Sequence, residues 1–151
     1  MIRKFEKNDI DSVMQIWKDE NIKAHAFISK EFWESNYNNV KESLPNAEIY
    51  VYILEEKIVG FIGLNNNYIE GIFVDTNNQC KGIGSSLLDK AKEKRNSLTL
   101  KVYQKNKNAI NFYRKNDFVI ENKDIDESTN EIEYTMIWNK FLYHEWKDKK
   151  I

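Results

Sequence analysis

Residues 72–88 read Ile72-Phe73-Val74-Asp75-Thr76-Asn77-Asn78-Gln79-Cys80-Lys81-Gly82-Ile83-Gly84-Ser85-Ser86-Leu87-Leu88, and their order decides how the rest of the chain is assembled. The apolar start reads as a strand and the polar centre as a turn. Gly82 and Gly84 then lead straight into a segment with Leu87 and Leu88 on one helical face. That junction suits an anion. Glycine lets the backbone turn its N–H groups inward without a Cβ in the way. The first N–H groups of the following helix have no partner within it, and the helix dipole puts partial positive charge at the same end. A phosphate or pyrophosphate is the natural guest; the plainer alternative is that the glycines only make a tight turn. A Walker A loop is excluded, because no Gly-Lys-Ser/Thr follows at the needed spacing. The dinucleotide fingerprint fits poorly: Leu87 stands where a third small residue belongs, and about seven residues separate the strand from the glycines.

Working outward, residues 68–75 form the strand that feeds this loop. Upstream lie a hairpin, with strands over 49–54 and 58–64 around the turn Glu55-Glu56-Lys57, and a second polar turn at Asn65-Asn66-Asn67. Two helical patterns precede the hairpin. Asn8 or Asp9 is a candidate N-cap for Ile10, Val13, Met14, Ile16 and Trp17; Ser29 opens the second, with Phe32, Trp33, Tyr37, Val40 and Leu44, which Pro45 stops. Ile2 and Phe5 fit a short edge strand. Downstream, the helix after the glycines carries Leu87, Leu88 and Ala91 and runs to about Arg95. A strand over 98–103 follows, then a helix over 108–115 with Ala109, Phe112 and Tyr113 on one face. The last elements are strands over 118–120 and 132–138 across a polar, acidic loop. The order β-α-α-β-β-β-α-β-α-β-β gives an α/β fold, a mixed sheet with helices on its faces. Residues 1–140 are read as one domain and residues 141–151 as a C-terminal tail or short helix.

Composition narrows the partners. Lys plus Arg number 23 against 24 Asp plus Glu, a net charge of −1, so no basic excess is available to hold nucleic acid or an anionic membrane. Cys80 is the single cysteine; it forms no intramolecular disulfide and supplies no metal cluster, which points to a reducing compartment. The charged start at Arg3-Lys4-Phe5-Glu6 has no apolar run behind it, and no apolar stretch approaches the roughly 18 residues of a membrane span. The expectation is a cytoplasmic protein with no metal.

Gln79-x-x-Gly82-x-Gly84, after a strand and before a helix, resembles the Gln/Arg-x-x-Gly-x-Gly/Ala signature of the GNAT acetyltransferase superfamily. A second signature follows in the right order. Asn106-x-x-Ala109 comes after the strand Leu100-Lys101-Val102-Tyr103, and Phe112-Tyr113-Arg114-Lys115-Asn116-Asp117-Phe118 is similar to the family's Phe-Tyr-x-Lys-x-Gly-Phe. The resemblance implies a GNAT fold, a mostly antiparallel twisted sheet of six to seven strands with about four helices. It also implies acetyl-coenzyme A as cosubstrate and a primary amine of a small molecule or peptide as acceptor, attacking the thioester directly.

Site residues follow from the same resemblance. The amides of the loop Gln79, Cys80, Lys81, Gly82, Ile83, Gly84 and Ser85 would hold the pyrophosphate of coenzyme A. Main-chain groups of Phe73 and Val74 would pair with the pantetheine arm, with the Val74 N–H aimed at the thioester oxygen. Asn106 and Ala109 belong to the second signature, Asn106 bonding the pantetheine through its amide. Tyr113 would sit near the sulfur, where a phenol of pKa about 10 can protonate a departing thiolate of pKa about 8.5; without the family pattern it reads as a core aromatic. Glu70, which strict alternation puts in phase with Ile72 and Val74, and His25 are both candidates for the base, as is water. Three positions depart from the family. Asp117 replaces a glycine beside Asn116, in a turn that either residue tolerates. Thr76 replaces a common proline, with little consequence expected. Gln79 replaces a frequent arginine, and Lys81 is expected to compensate. Cys80 reads as a small loop residue.

Phe141, Tyr143 and Trp146, near the polar end Lys147-Asp148-Lys149-Lys150, suggest packing onto the domain or a second subunit, and either a monomer or a homodimer is compatible. A non-catalytic acyl-coenzyme A sensor is the alternative to an enzyme. Tyr113 beside Asn106 favours the enzyme, since a domain used only for binding needs no proton donor there.

Overall fold

The turns leave little choice of topology. Glu55 and Glu56 both adopt positive φ, 51° and 66°, which suits the right-handed twist of a tight hairpin. They join β2 (Glu48–Leu54) to β3 (Lys57–Asn65), and Asn66 at φ 56° turns β3 back into β4 (Tyr68–Val74). The computed structural model describes residues 1–141. Its remaining strands are β1 (Ile2–Lys4), β5 (Ser97–Tyr103), β6 (Val119–Asp126) and β7 (Glu131–Asn139), and its helices α1 (Ile10–Ala24), α2 (Lys30–Ser43), α3 (Ile83–Lys94) and α4 (Lys107–Lys115). All seven strands form one sheet in the order β1-β2-β3-β4-β5-β7-β6. Every pairing is antiparallel except β4 with β5.

Each face of the sheet has its own core. On one side Val13, Met14 and Ile16 of α1 pack with Ile49, Val51 and Phe61, and Tyr37 and Val40 of α2 close the cluster. On the other, Ile83, Leu87, Leu88 and Ala91 of α3 and Ile110 and Tyr113 of α4 pack with Ile62, Leu64, Ile69, Leu98, Leu100 and Met136. Among the described residues none from β5, β6 or β7 enters the α1/α2 cluster. The face of the second half-sheet that carries Lys101, Tyr103 and their cross-strand partners Thr135 and Glu133 lies outside that cluster and meets His25 and Phe27 only at Tyr103, among the described ring contacts.

Three sequence expectations are corrected here. The acidic stretch after Ile120 is not a loop: β6 runs on to Asp126 and pairs with β7 as far as Asp126 opposite Glu131. Its charged residues are tolerated because that strand lies at the edge of the sheet. Asp9 does not cap α1 through its side chain; it accepts from Arg3 Nη1 and Nη2 at 2.7 and 3.0 Å and from the Glu6 N–H at 2.7 Å, tying β1 to the helix entrance. Phe112 is only half-buried; Ile110 shares the buried face of α4 with Tyr113. The tail expected at 141–151 lies, beyond Phe141, outside the described residues.

The turn after α4 ends as its composition requires. Asp117 takes φ 74° while Asn116 stays at −100°. Lys92 donates to the Asn116 carbonyl at 2.5 Å and lies 5.1 Å from the centre of the Trp138 ring. A left-handed residue with a Cβ costs about 1 kcal/mol, so Asp117→Gly should raise unfolding stability by about 0.5–1 kcal/mol, read as a higher denaturation midpoint. An unchanged or lower midpoint would mean that the carboxylate, facing Lys92, outweighs the strain.

Candidate functional site

Strands β4 and β5 are neighbours that barely touch. Their register holds a single pair, Tyr68 opposite Thr99, supported by the Thr99 N–H on the Asn67 carbonyl at 2.9 Å. Beyond it the strands diverge, opening a cleft between the two half-sheets. The Asp75 N–H bonds the Val59 carbonyl at 2.8 Å. Ladder alternation then turns the main-chain groups of Phe73 toward β3, opposite Phe61, and those of Val74 and Ile72 into the cleft. Of the two residues expected to offer main-chain groups there, Val74 does and Phe73 does not. Phe73 instead packs its ring on Phe61, 5.2 Å between centroids.

Glu70 sits in a bulge. The register steps from Gly63 opposite Gly71 to Leu64 opposite Ile69, which leaves Glu70 as the extra residue. A Cβ on Gly63 would lie 3.8 Å from that of Glu70 and 4.0 Å from Ile49, a member of the α1/α2 cluster. Glu70 therefore faces the α1/α2 side, whereas Ile72 and Val74 pack on the α3 side. The in-phase placement is corrected: a bulge adds one residue and inverts the alternation beyond it. Tyr68 lies within the field of Glu70 and of Glu133 on β7. Burial and these two carboxylates push its phenol up to about 12.

The loop between β4 and α3 forms one lip of the cleft. Cys80 and Gly82 take φ 63° and 82°, and nothing lies within 4 Å of where a Gly82 Cβ would be. Gly82 thus serves the backbone turn and leaves its outer side open. Gly84 has a different task, since its Cβ would come within 3.1 Å of the Phe112 ring; it lets α3 and α4 approach. The Gln79 side chain turns inward, donating to the Val74 carbonyl at 2.9 Å and to Glu20 at 3.0 Å. Lys81 donates to Asn78 at 3.2 Å, and Cys80 is exposed. Ile83 is buried under the loop; Ser85 sits in the first turn of α3.

Asn106 stands on the other lip, at the start of α4. Its Oδ1 accepts from the Ala109 N–H at 3.3 Å, so its Nδ2 is the atom 3.3 Å from His25 Nε2. His25 Nδ1 lies 2.9 Å from the Asn21 carbonyl. A carbonyl only accepts, so Nδ1 carries the proton and Nε2 offers its lone pair to Asn106. The imidazole is 8% exposed, stacked on Trp33 at 5.1 Å and edge-on to Tyr103 at 5.3 Å and Phe27 at 5.7 Å. Burial lowers its pKa, opposed by the Asn21 bond. Tyr113 is buried on α4; burial, and to a smaller degree Tyr68, raises its pKa above that of a free phenol.

Loop, cleft and Asn106 thus surround one opening. A family model described as an acetyltransferase (GNAT) domain matches residues 45–120, half the chain. The chain belongs to the GNAT acetyltransferase family. It is 28% identical over 140 residues to the peptidyl-lysine N-acetyltransferase YiaC of Escherichia coli K12, which covers 91% of this chain and 96% of that protein. Among solved structures, the apo form of YjaB from Escherichia coli matches with a TM-score of 0.81 at 24% identity, over 91% of this chain and 96% of that one. A Bacillus anthracis acetyltransferase in complex with acetyl coenzyme A matches with a TM-score of 0.67 at 25% identity, over 92% and 98%. The GNAT chain described here is accordingly an N-acetyltransferase with the mixed α/β fold expected. Among the described residues no helix is long and apolar enough to cross a membrane, and no group of His, Cys, Asp and Glu side chains is placed to share a metal ion.

Sequence reasoning missed Glu20, Tyr68, Trp33, Tyr103 and Glu133, none of which carries a motif. The Glu20 carboxylate, buried on α1, accepts from the Thr76 N–H at 3.2 Å and from its hydroxyl at 2.9 Å, besides Gln79. Thr76 is therefore consequential, against expectation: a proline there has neither donor.

His25 supplies a pH test. Its folded pKa lies below the unfolded value of about 6.5, so as pH falls the unfolded chain takes up a proton that the folded one refuses, and stability drops. Melting temperature should fall as pH drops below about 6.5, and the fall should be smaller in His25→Gln. Equal slopes in both proteins would place the titration elsewhere.

Proposed function

We propose that this N-acetyltransferase takes its acetyl group from acetyl-coenzyme A and gives it to a primary amine, with the lysine side chain of a peptide as the acceptor class to test first. The observation that carries the reading is the split between β4 and β5, with an outward-turned main-chain edge on Val74, beside a glycine loop at a helix N-terminus. In that arrangement the amides around Gly82 to Ser85 hold the pyrophosphate, and Lys81 contributes charge nearby. Val74 pairs its free N–H with the pantetheine arm or the thioester oxygen, where charge develops as the amine attacks. The named activity of the YiaC relative supports a peptide acceptor.

The proton inventory divides between the two sides of the sheet. Glu70, on the α1/α2 side, is the proposed base for the incoming ammonium, directly or through water. His25 is assigned differently: with Nε2 engaged by Asn106, it orients that amide and takes no proton from substrate. Tyr113 is the proposed acid for the departing thiolate. Its raised pKa keeps the phenol protonated at neutral pH and moves any loss of the proton to higher pH. When bound, acetyl-coenzyme A supplies the activated carbonyl and a leaving group.

Isothermal titration with acetyl-coenzyme A, followed by thiol release across a panel of lysine peptides and small amines, tests the whole reading. Binding with release that depends on a lysine peptide is expected. Binding with release only on small amines would overturn the peptide acceptor, and a folded sample that binds no acetyl-coenzyme A would overturn the cosubstrate. Tyr113→Phe should lower kcat on the order of 10²-fold with Kd for the cosubstrate nearly unchanged. An unchanged kcat would reduce Tyr113 to a packing residue.

A further inference from the structure

We propose that Glu20 is a positioning residue that holds the anion-binding loop in its receptive shape from beneath, with Thr76 as its handle. The proposal rests on the coenzyme A reading of that loop. Glu20 is 8% exposed, and a buried carboxylate is retained only where its charge is absorbed. Here every donor that absorbs it but one belongs to the loop. The Thr76 N–H lies 3.2 Å away, the Thr76 hydroxyl 2.9 Å and the Gln79 amide 3.0 Å. The remaining partner is Lys23, one turn along α1, 3.7 Å from the carboxylate and 3.0 Å from the Thr76 hydroxyl. That hydroxyl accepts from Lys23 and donates to Glu20, so its orientation is fixed.

The knot reaches the cleft directly. Gln79 uses its second amide hydrogen on the Val74 carbonyl at 2.9 Å. That carbonyl belongs to the strand edge left without a ladder by the β4–β5 split. Glu20 thus fixes Gln79, and Gln79 fixes both the end of β4 and the backbone entering Cys80 and Gly82, whose left-handed φ angles of 63° and 82° aim the following amides. A negative charge beneath an anion-binding loop is costly unless its field is cancelled locally. Three loop donors and Lys23 do so, which leaves the outer amides electropositive. The device needs an N–H and a hydroxyl at position 76, and an amide donor at position 79.

The test uses Glu20→Ala together with the pair Thr76→Val and Thr76→Ser, each checked for folding by thermal melt. Titration with coenzyme A should show Kd raised about tenfold in Glu20→Ala and raised in Thr76→Val, with Thr76→Ser close to the parent because it keeps both donors. In thiol-release assays the loss should fall on KM for acetyl-coenzyme A, with kcat changed by less than about threefold, because no reacting group has been altered. An unchanged Kd in Glu20→Ala, a loss confined to kcat, or a Thr76→Ser as weak as Thr76→Val would each overturn the assignment. Should Glu20→Ala fail to fold, the two Thr76 variants decide alone. A parent protein that binds no coenzyme A would instead overturn the underlying reading of the loop.

Discussion

One unfinished ladder governs the molecule. Two strands that run side by side ordinarily exchange hydrogen bonds along their length, and a buried main-chain edge without partners is expensive. Here β4 and β5 pair at Tyr68 and Thr99 and then part, leaving the edge of β4 exposed in the middle of the sheet rather than at its rim. On their other edges the two strands are fully laddered, β4 to β3 and β5 to β7 over its whole length. Among the described residues one core covers both halves on the α3/α4 face, whereas the α1/α2 core covers the first half alone. The split is therefore covered on the α3/α4 face and opens as a groove toward the other.

Helix α1 bridges that groove. Glu20 reaches the β4 lip through Thr76 and Gln79, and His25, just past the last residue of the helix, reaches the α4 lip through Asn106. Both contacts are polar, directional and largely shielded from water, so they specify geometry more than they add net stability. The rings of Trp33, Phe27 and Tyr103 around His25 exclude water from the second contact. An acceptor entering from this side meets a wall whose position is tied to both halves of the sheet.

The fold was legible where local chemistry and apolar period agreed. Pro45, the paired glutamates at 55 and 56, and the glycines at 82 and 84 marked boundaries, and every strand and helix in the expected order is present. What escaped was information that lives between elements. The bulge at Glu70 depends on how β3 aligns with β4, so strict alternation put the carboxylate on the wrong side. Gly84 was read for its amide, and nothing local announced that its missing Cβ also admits the Phe112 ring from far along the chain. Glu20 drew no reading, because its partners at 76 and 79 lie more than fifty positions away. Such long-range polar pairings leave no period and no spacing to detect.

The acidic run after Ile120 belongs to β6, the outermost strand, and among the described residues nothing pairs with its outer edge. An open edge is a template on which a second chain can add a strand, and exposed Val119 and Ile125 would make such docking adhesive. Glu121, Lys123 and Asp124 interrupt that invitation. Adding a strand there would desolvate fixed charges of both signs without providing them partners. The run that resembled a solvated loop therefore acts as a barrier to self-templated aggregation, and neutralising it would threaten solubility while leaving the groove on the far side of β5 untouched.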